Sequence, residues 1–191
     1  MSDPSVDYSA DFGDQPAHGT TRFVTAGGIE VTRAVAPFEP AALAEITAQI
    51  DERRGGTFSS GMEYPGRYSR WHIGYIDPCI EFAARGRELT ATALNERGTV
   101  LLPAIAAAIQ RAGSLSADGP AGSVTVSVAE PAGIVPEEER SRRPTVFSAI
   151  RHVIELFTGP DEHLGLYGAF GYDLAFQFEP IRLRGERGRS A

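Results

Sequence analysis

The sequence has little cysteine, no long apolar run and no excess of positive charge, and each shortage argues against a class of protein. Cys79 is the single cysteine, so no internal disulfide can form, and we expect a reducing, cytoplasmic setting. No run approaches the roughly 18 apolar residues of a membrane-spanning helix, so no membrane partner is expected. The formal net charge of -7 is opposite in sign to that of most nucleic-acid binders, so no nucleic-acid partner is expected.

Motifs for catalysis are equally scarce. The sequence contains no phosphate-binding loop, no serine elbow and no paired-carboxylate signature. No two of its four histidines have a recognised metal-ligand spacing, and the run from Glu137 to Glu139 is more typical of a solvated loop. Cys79 follows a proline in what resembles a turn, and nothing marks it as a nucleophile. We therefore predict no catalytic residue and no metal site in this chain.

The composition itself is that of an ordinary folded domain, with 191 residues of which 42% are hydrophobic. Residues 1–20 contain four aspartates and no Lys or Arg, and they lack the basic and apolar regions of a signal peptide. We expect them to form a disordered acidic tail.

Three segments show the periodicity of amphipathic helices. The predicted helices cover residues 40–54, 103–112 and 144–157, and each begins at a proline, which suits a first helical turn. Leu43, Ile46 and Ile50 share a face of the first, and Gly55 is its predicted left-handed cap. Ile105, Ala108 and Ile109 share a face of the second. The apolar stripe predicted for the third consists of Phe147, Ile150, Val153, Ile154 and Phe157.

Short β-prone runs occupy most of the remaining sequence. A hairpin is predicted from Arg22–Val24 and Ile29–Thr32 around Gly27 and Gly28. The other predicted strands are Thr57–Ser60, Tyr68–Ile76, Ile80–Arg85, Glu88–Leu94, Thr99–Leu102 and Val124–Val128, with residues 113–122 as a connector. Their short connections favour antiparallel neighbours, so we predict an α+β fold with mostly antiparallel sheets and about three helices.

Two segments have the composition of a functional site. In the first, Ser59 and Ser60 precede Gly61 at a strand end, Arg67 could pair with a carboxylate, and Tyr68 offers an apolar wall. The alternative is a surface turn, and the residue types alone favour that alternative. In the second, Leu164–Phe176, three glycines interrupt an apolar run, which suggests close packing against another backbone or a ligand. The alternative is a buried glycine-containing strand, and the residue types alone favour that alternative.

These segments also carry a resemblance to a known family. The run from Arg53 to Trp71, RRGGTFSSGMEYPGRYSRW, is similar to the N-terminal region of anthranilate synthase component I, most of all to the subtype fused to a glutamine amidotransferase. The run from Leu164 to Asp173, LGLYGAFGYD, resembles the same subtype, as do Arg85–Arg87 and Asn95–Gly98. The resemblance covers about residues 21–183.

The resemblance implies a role in tryptophan biosynthesis, where the family converts chorismate and ammonia to anthranilate and pyruvate with Mg²⁺. It assigns the binding of chorismate and Mg²⁺ to a later, chorismate-binding domain, which we expect to be absent here. It assigns the supply of ammonia from glutamine to the amidotransferase. No cofactor is therefore expected in this chain, and residues 184–191 are expected to form a polar tail. The chain is expected to be inactive alone and to self-associate through the uncovered segment Leu164–Phe176.

The same resemblance implies a tryptophan feedback site. In many family members a Leu-Leu-Glu-Ser motif lies at this strand end, where the present chain has Phe58, Ser59, Ser60 and Gly61 without the acidic residue. The expected tryptophan-binding residues are Ser59, Ser60, Gly61, Arg67, Tyr68 and Ser69. Two alternatives remain open, namely a stand-alone amino-acid-binding module and a fragment of a sister enzyme that makes aminodeoxychorismate or isochorismate.

Overall fold

The computed structural model describes residues 19–37, 40–60, 71–116, 120–129, 144–172 and 174. These residues form three helices and eight strands, which confirms the predicted α+β class with mostly antiparallel pairing. In chain order they are β1 (Gly19–Val24), β2 (Glu30–Val35), α1 (Pro40–Gln49), β3 (Gly55–Ser60), β4 (Trp71–Ile76), β5 (Ile80–Arg85), β6 (Glu88–Ala93), α2 (Glu96–Gln110), β7 (Ser114–Ser116), β8 (Ser123–Ser127) and α3 (Val146–Phe157).

The chain divides into two units. The first contains the described residues of 19–23 and 30–78, and the second contains those of 24–29 and 79–174. The predicted tails at 1–20 and 184–191 lie outside the described residues, except that β1 already begins at Gly19.

The first unit contains two small sheets and one helix. Strands β1 and β2 form one two-stranded sheet, and β3 and β4 form an antiparallel pair, with α1 packed next to β4. Helix α1 ends at Gln49, earlier than the predicted residue 54. The predicted cap was wrong because Gly55 is instead the first residue of β3, paired with Ile76.

The second unit contains a four-stranded antiparallel sheet in the order β5-β6-β8-β7. The buried apolar residues of its central cluster come from the two central strands and from α2 and α3. They are Leu89, Ala91, Ile105, Ile109, Val126, Ala149 and Val153. Because β-strand side chains alternate, Leu89 and Ala91 lie on one face of the sheet with their partners Val126 and Val124.

The start of α2 differs from the prediction. Residues Thr99–Leu102 are helical, and Pro103 lies inside the helix and does not begin it. The helix begins after Asn95, whose side chain accepts a hydrogen bond from the Gly98 amide at 3.1 Å. Proline removes one backbone hydrogen bond, and we attribute its tolerance here to the burial of Ile105, Ala108 and Ile109 on the predicted face.

Helix α3 matches its predicted extent within two residues, but its buried face is shifted. Val146, Ala149 and Val153 are buried, whereas Ile154, predicted within the apolar stripe, is 51% exposed. Thr145 forms a capping box with Ser148 at the first turn.

The C-terminal end of α3 is satisfied by a distant turn. Thr25 donates its hydroxyl to the Leu156 carbonyl at 2.7 Å, and the Gly27 amide donates to the same oxygen at 3.1 Å. The Ala26 amide donates to the Thr158 carbonyl. Free carbonyls at a helix end need such partners when they are shielded from water, so this turn stabilises the end of α3.

Two further predictions about strands were wrong. Residues Ser114–Ser116, predicted as part of a connector, form β7 because they pair with β8. Residues 164–172 contain no strand.

Candidate ligand-binding site

The paired strands β3 and β4 carry the described part of the predicted binding segment. Their register places Ser60 opposite Trp71, Phe58 opposite Ile73, and Gly56 opposite Tyr75. Directly opposed residues share a face, and alternate residues of one strand share a face as well. These six residues therefore lie on one face of the pair, which we call the Ser60 face.

Aromatic rings dominate the Ser60 face. The rings of Phe58 and Tyr75 are stacked, with centroids 6.2 Å apart and planes 18° apart. Trp71, opposite Ser60, is 46% exposed. A flat apolar surface with a half-buried hydroxyl at one end is a suitable wall for a small amphiphilic ligand.

Ser59 lies on the opposite face, next to His72. Both side chains are exposed. Ile50, just after α1, belongs to this side, since a Cβ placed on Gly55 would lie 3.4 Å from the Ile50 Cγ1 atom. The side chains of Ser59 and Ser60 therefore cannot both contact one ligand lying flat on the Ser60 face.

The remaining predicted ligand residues, Gly61, Arg67, Tyr68 and Ser69, lie outside the described residues. Their roles in tryptophan binding stay predictions. A contact between the ligand and the backbone of Ser59 also stays a prediction.

An ion pair closes the other end of the strand pair. Arg53 donates two hydrogen bonds to the Asp77 carboxylate, and the Asp77 amide donates to the Arg54 carbonyl at 2.8 Å. The hydrogen bond with Asp77 and the attraction between the two charges raise the pKa of Arg53 above its already high ordinary value. The pair lies beyond Gly55 and Ile76, at the end of the strands away from Ser60.

The glycine-rich segment is exposed over residues 165–172, whereas Leu164 and Leu174 are half-buried. Phe170 is 68% and Tyr172 90% exposed, and Cβ atoms placed on Gly165, Gly168 and Gly171 would meet no atom within 4 Å. The prediction of a buried strand in tight contact was wrong for residues 164–172. The Phe170 ring nevertheless contacts Phe147 of α3, with centroids 5.5 Å apart.

The described residues contain no group of three or more His, Cys, Asp or Glu side chains that could hold a metal ion. His152 contacts Glu155, and Cys79 is half-buried, with its carbonyl accepting a hydrogen bond from the Leu94 amide. His18 and Glu137–Glu139 lie outside the described residues. Within those same limits, no helix is both long and apolar enough to cross a membrane.

Two contacts in the structure were not predicted from the sequence. Gly56 was not singled out, yet a Cβ at this position would meet the Tyr75 ring. Arg87 was noted only as part of the resemblance, yet it binds three backbone carbonyls, those of Val128, Ala129 and Pro144, at 2.7–2.9 Å. For these two contacts the sequence offers one signal, the two adjacent glycines at the start of β3, which indicate a close approach of neighbouring atoms.

Comparison with known proteins finds relatives of similar sequence. Over 169 residues, 87% of its length, the chain is 53% identical to anthranilate synthase of Azospirillum brasilense. Over 158 residues it is 23% identical to anthranilate synthase component 1 of Vibrio parahaemolyticus serotype O3:K6 (strain RIMD 2210633).

The matched segment is a minor part of each relative. It covers 23% of the Azospirillum protein and 29% of the Vibrio protein, so the chain spans about a quarter of the length of these curated relatives. No family model matches the chain. No solved structure matches it either. The chain is therefore homologous to a portion of anthranilate synthase.

Proposed function

We propose that this chain is the N-terminal regulatory portion of an anthranilate synthase and contributes one wall of a tryptophan feedback site. The observation that carries the proposal is the 53% identity to a protein named anthranilate synthase across 87% of the chain. The proposal places the chain in tryptophan biosynthesis and in the cytoplasm, where a single free thiol is typical.

The Ser60 face supports the regulatory part of this proposal. A tryptophan molecule has a charged amino-acid end and a flat bicyclic ring, and this face offers a hydroxyl at one end and stacked aromatic rings beyond it. Ser60 binds the polar end, and the indole ring packs over Phe58. A hydrogen bond from a hydroxyl to a charged group is worth about 1.5–3 kcal/mol, and an aromatic pair adds about 0.5–1.5 kcal/mol.

The catalytic part of the reaction belongs, in this proposal, to the portions of the enzyme that the chain does not match. A chorismate-binding domain holds chorismate and Mg²⁺, and a glutamine amidotransferase, fused or separate, supplies ammonia. These portions are the proposed partners, and the exposed residues Leu166, Tyr167, Phe170 and Tyr172 are available for contact with them or with a second copy of the chain.

The isolated chain is accordingly expected to make no anthranilate. The test is a fluorescence assay for anthranilate with chorismate, Mg²⁺ and ammonium, using the Azospirillum relative as the positive control. Turnover by the purified 191-residue chain would contradict the assignment of catalysis to the other portions.

The tryptophan site is tested by titrating the chain with L-tryptophan and following backbone amide signals by nuclear magnetic resonance. We expect weak binding, because the second wall of the site comes from another portion of the enzyme. Ser60→Phe should abolish the shifts, since the new ring occupies the site and the hydroxyl is lost. Ser59→Phe, an identical change on the opposite face, should leave them. Equal effects of the two substitutions would count against the Ser60 face.

A further inference from the structure

The pair Gly56 and Tyr75 lies at the far end of the Ser60 face and is not explained by strand pairing alone. Gly56 does not have the left-handed backbone conformation that favours glycine, so its φ angle would accept a side chain. What excludes a side chain is the Tyr75 ring. A Cβ at Gly56 would lie 2.8 Å from Oη, 2.9 Å from Cε1 and 3.0 Å from Cζ of Tyr75.

Gly56 therefore provides space for the Tyr75 ring, whereas Gly55 provides space for backbone. A Cβ on Gly55 would collide with the backbone carbonyl oxygen of Tyr75, which the strand pair cannot move without breaking. At Gly56 the obstacle is the outer part of a side chain, which can swing away. An alanine at Gly56 should displace the Tyr75 ring and leave the strand pair intact.

The position of that ring extends the aromatic surface. Residues two apart on a strand are separated by about 6.8 Å, so a ligand whose polar end binds Ser60 places its first ring near Phe58. The Tyr75 centroid lies a further 6.2 Å from that of Phe58, diagonally across the strand pair. A single ring bound near Phe58 does not need Tyr75, whereas a bicyclic side chain extends toward it.

We propose that Gly56 is a specificity-determining residue: by holding the Tyr75 ring across β3, it makes the Ser60 face select a two-ring amino acid over a one-ring amino acid. The inference rests on the proposed function, since it assumes that the Ser60 face binds an aromatic amino acid. It adds the structural origin of the preference for tryptophan.

The test compares L-tryptophan with L-phenylalanine on the full 191-residue chain by nuclear magnetic resonance titration. In the Gly56→Ala variant, tryptophan binding should weaken about three- to tenfold, the effect of losing one aromatic contact, while phenylalanine binding stays within twofold. Tyr75→Ala should give the same pattern. In a Tyr75→Ala background, adding Gly56→Ala should change neither affinity, because the ring through which Gly56 acts is gone.

The possible outcomes separate the two claims. Wild-type chain that binds neither amino acid would overturn the proposed function and this inference with it. Wild-type chain that binds tryptophan, with an unchanged tryptophan-to-phenylalanine ratio in Gly56→Ala, would overturn the inference alone. Equal weakening of both ligands would assign Gly56 a structural role and also overturn it. The strand pair is checked in each variant by the cross-strand amide contacts between Phe58 and Ile73.

Discussion

The two units of the chain differ in how they are held together. Every buried side chain among the described residues belongs to the second unit, where β6, β8, α2 and α3 share one core. The first unit consists of two-stranded sheets and a short helix whose described side chains are exposed or half-buried. A two-stranded sheet is marginally stable by itself. The candidate binding face therefore lies on the unit with fewer buried side chains. Because that unit has the weaker core, a bound ligand should raise its stability more than that of the other unit.

The largest expected effect is that of a core truncation in the second unit. Ile109→Ala should lower the free energy of unfolding by about 2–5 kcal/mol, because it leaves a cavity at a fully buried position. Phe58→Ala in the first unit should cost about 1 kcal/mol, since this ring is only half-buried. Urea denaturation measures both, and amide hydrogen exchange should be slower in β6 and β8 than in β3 and β4. Equal costs and equal exchange rates would remove the distinction between the units.

A smaller effect is expected at Arg87, the residue before β6, which binds backbone carbonyls on both sides of residues 130–143. Its guanidinium donates to the carbonyls of Val128, Ala129 and Pro144. Arg87→Ala should cost about 1–3 kcal/mol, because carbonyls that it satisfies lose a charged donor. Arg85→Ala, at an exposed position two residues earlier, should stay within about 0.5 kcal/mol. Similar midpoints of thermal unfolding for both variants would contradict this role.

The smallest expected effect concerns pH. Glu155 contacts His152 at 3.1 Å and Arg111 at 3.0 Å, and these hydrogen bonds lower the pKa of Glu155 below its ordinary 4.5. A depressed carboxyl pKa stabilises the folded state fully above the unfolded value, and the contribution disappears as the pH falls through the folded value. The side chains of Arg111 and Glu155 are more than half exposed, so the stabilisation of the folded state by these contacts is small and is weakened by salt.

Glu155→Gln should therefore be slightly less stable than the parent chain at pH 7 and indistinguishable from it well below pH 4. Thermal unfolding at several pH values in low salt is the measurement. A deficit that persists unchanged into acid would mean that the carboxylate charge is not its cause.

Local patterns predicted most elements of the second unit. Strand β5 has the predicted bounds, and the buried residues Ile105, Ala108 and Ile109 of α2 were identified from their spacing. The start of α2 was mistaken because Pro103 is typical of a first turn, while the capping by Asn95 decides where the helix begins. Strand β7 has only three residues and exists through its pairing with β8, so no periodicity could reveal it.

The candidate site was predictable only in part. A serine and glycine pattern at a strand end identified Ser60, but adjacent serines cannot be assigned to faces without the register of β3 and β4. The contact between Gly56 and Tyr75 joins residues 19 positions apart and depends on that same register. The prediction of a buried strand was wrong for residues 164–172 because their apolar composition suits a strand, and a strand forms only where a neighbour pairs with it.

The central claim is that the Ser60 face forms part of a tryptophan feedback site. Its most direct test replaces the matched segment of the Azospirillum brasilense anthranilate synthase with residues 21–183 of this chain and measures inhibition of anthranilate formation by L-tryptophan. In this chimera, Ser60→Phe should raise the half-inhibitory tryptophan concentration at least about tenfold with turnover retained, while Ser59→Phe should change it little. An inhibition curve that Ser60→Phe leaves unchanged, in an active and tryptophan-sensitive chimera, would contradict the account.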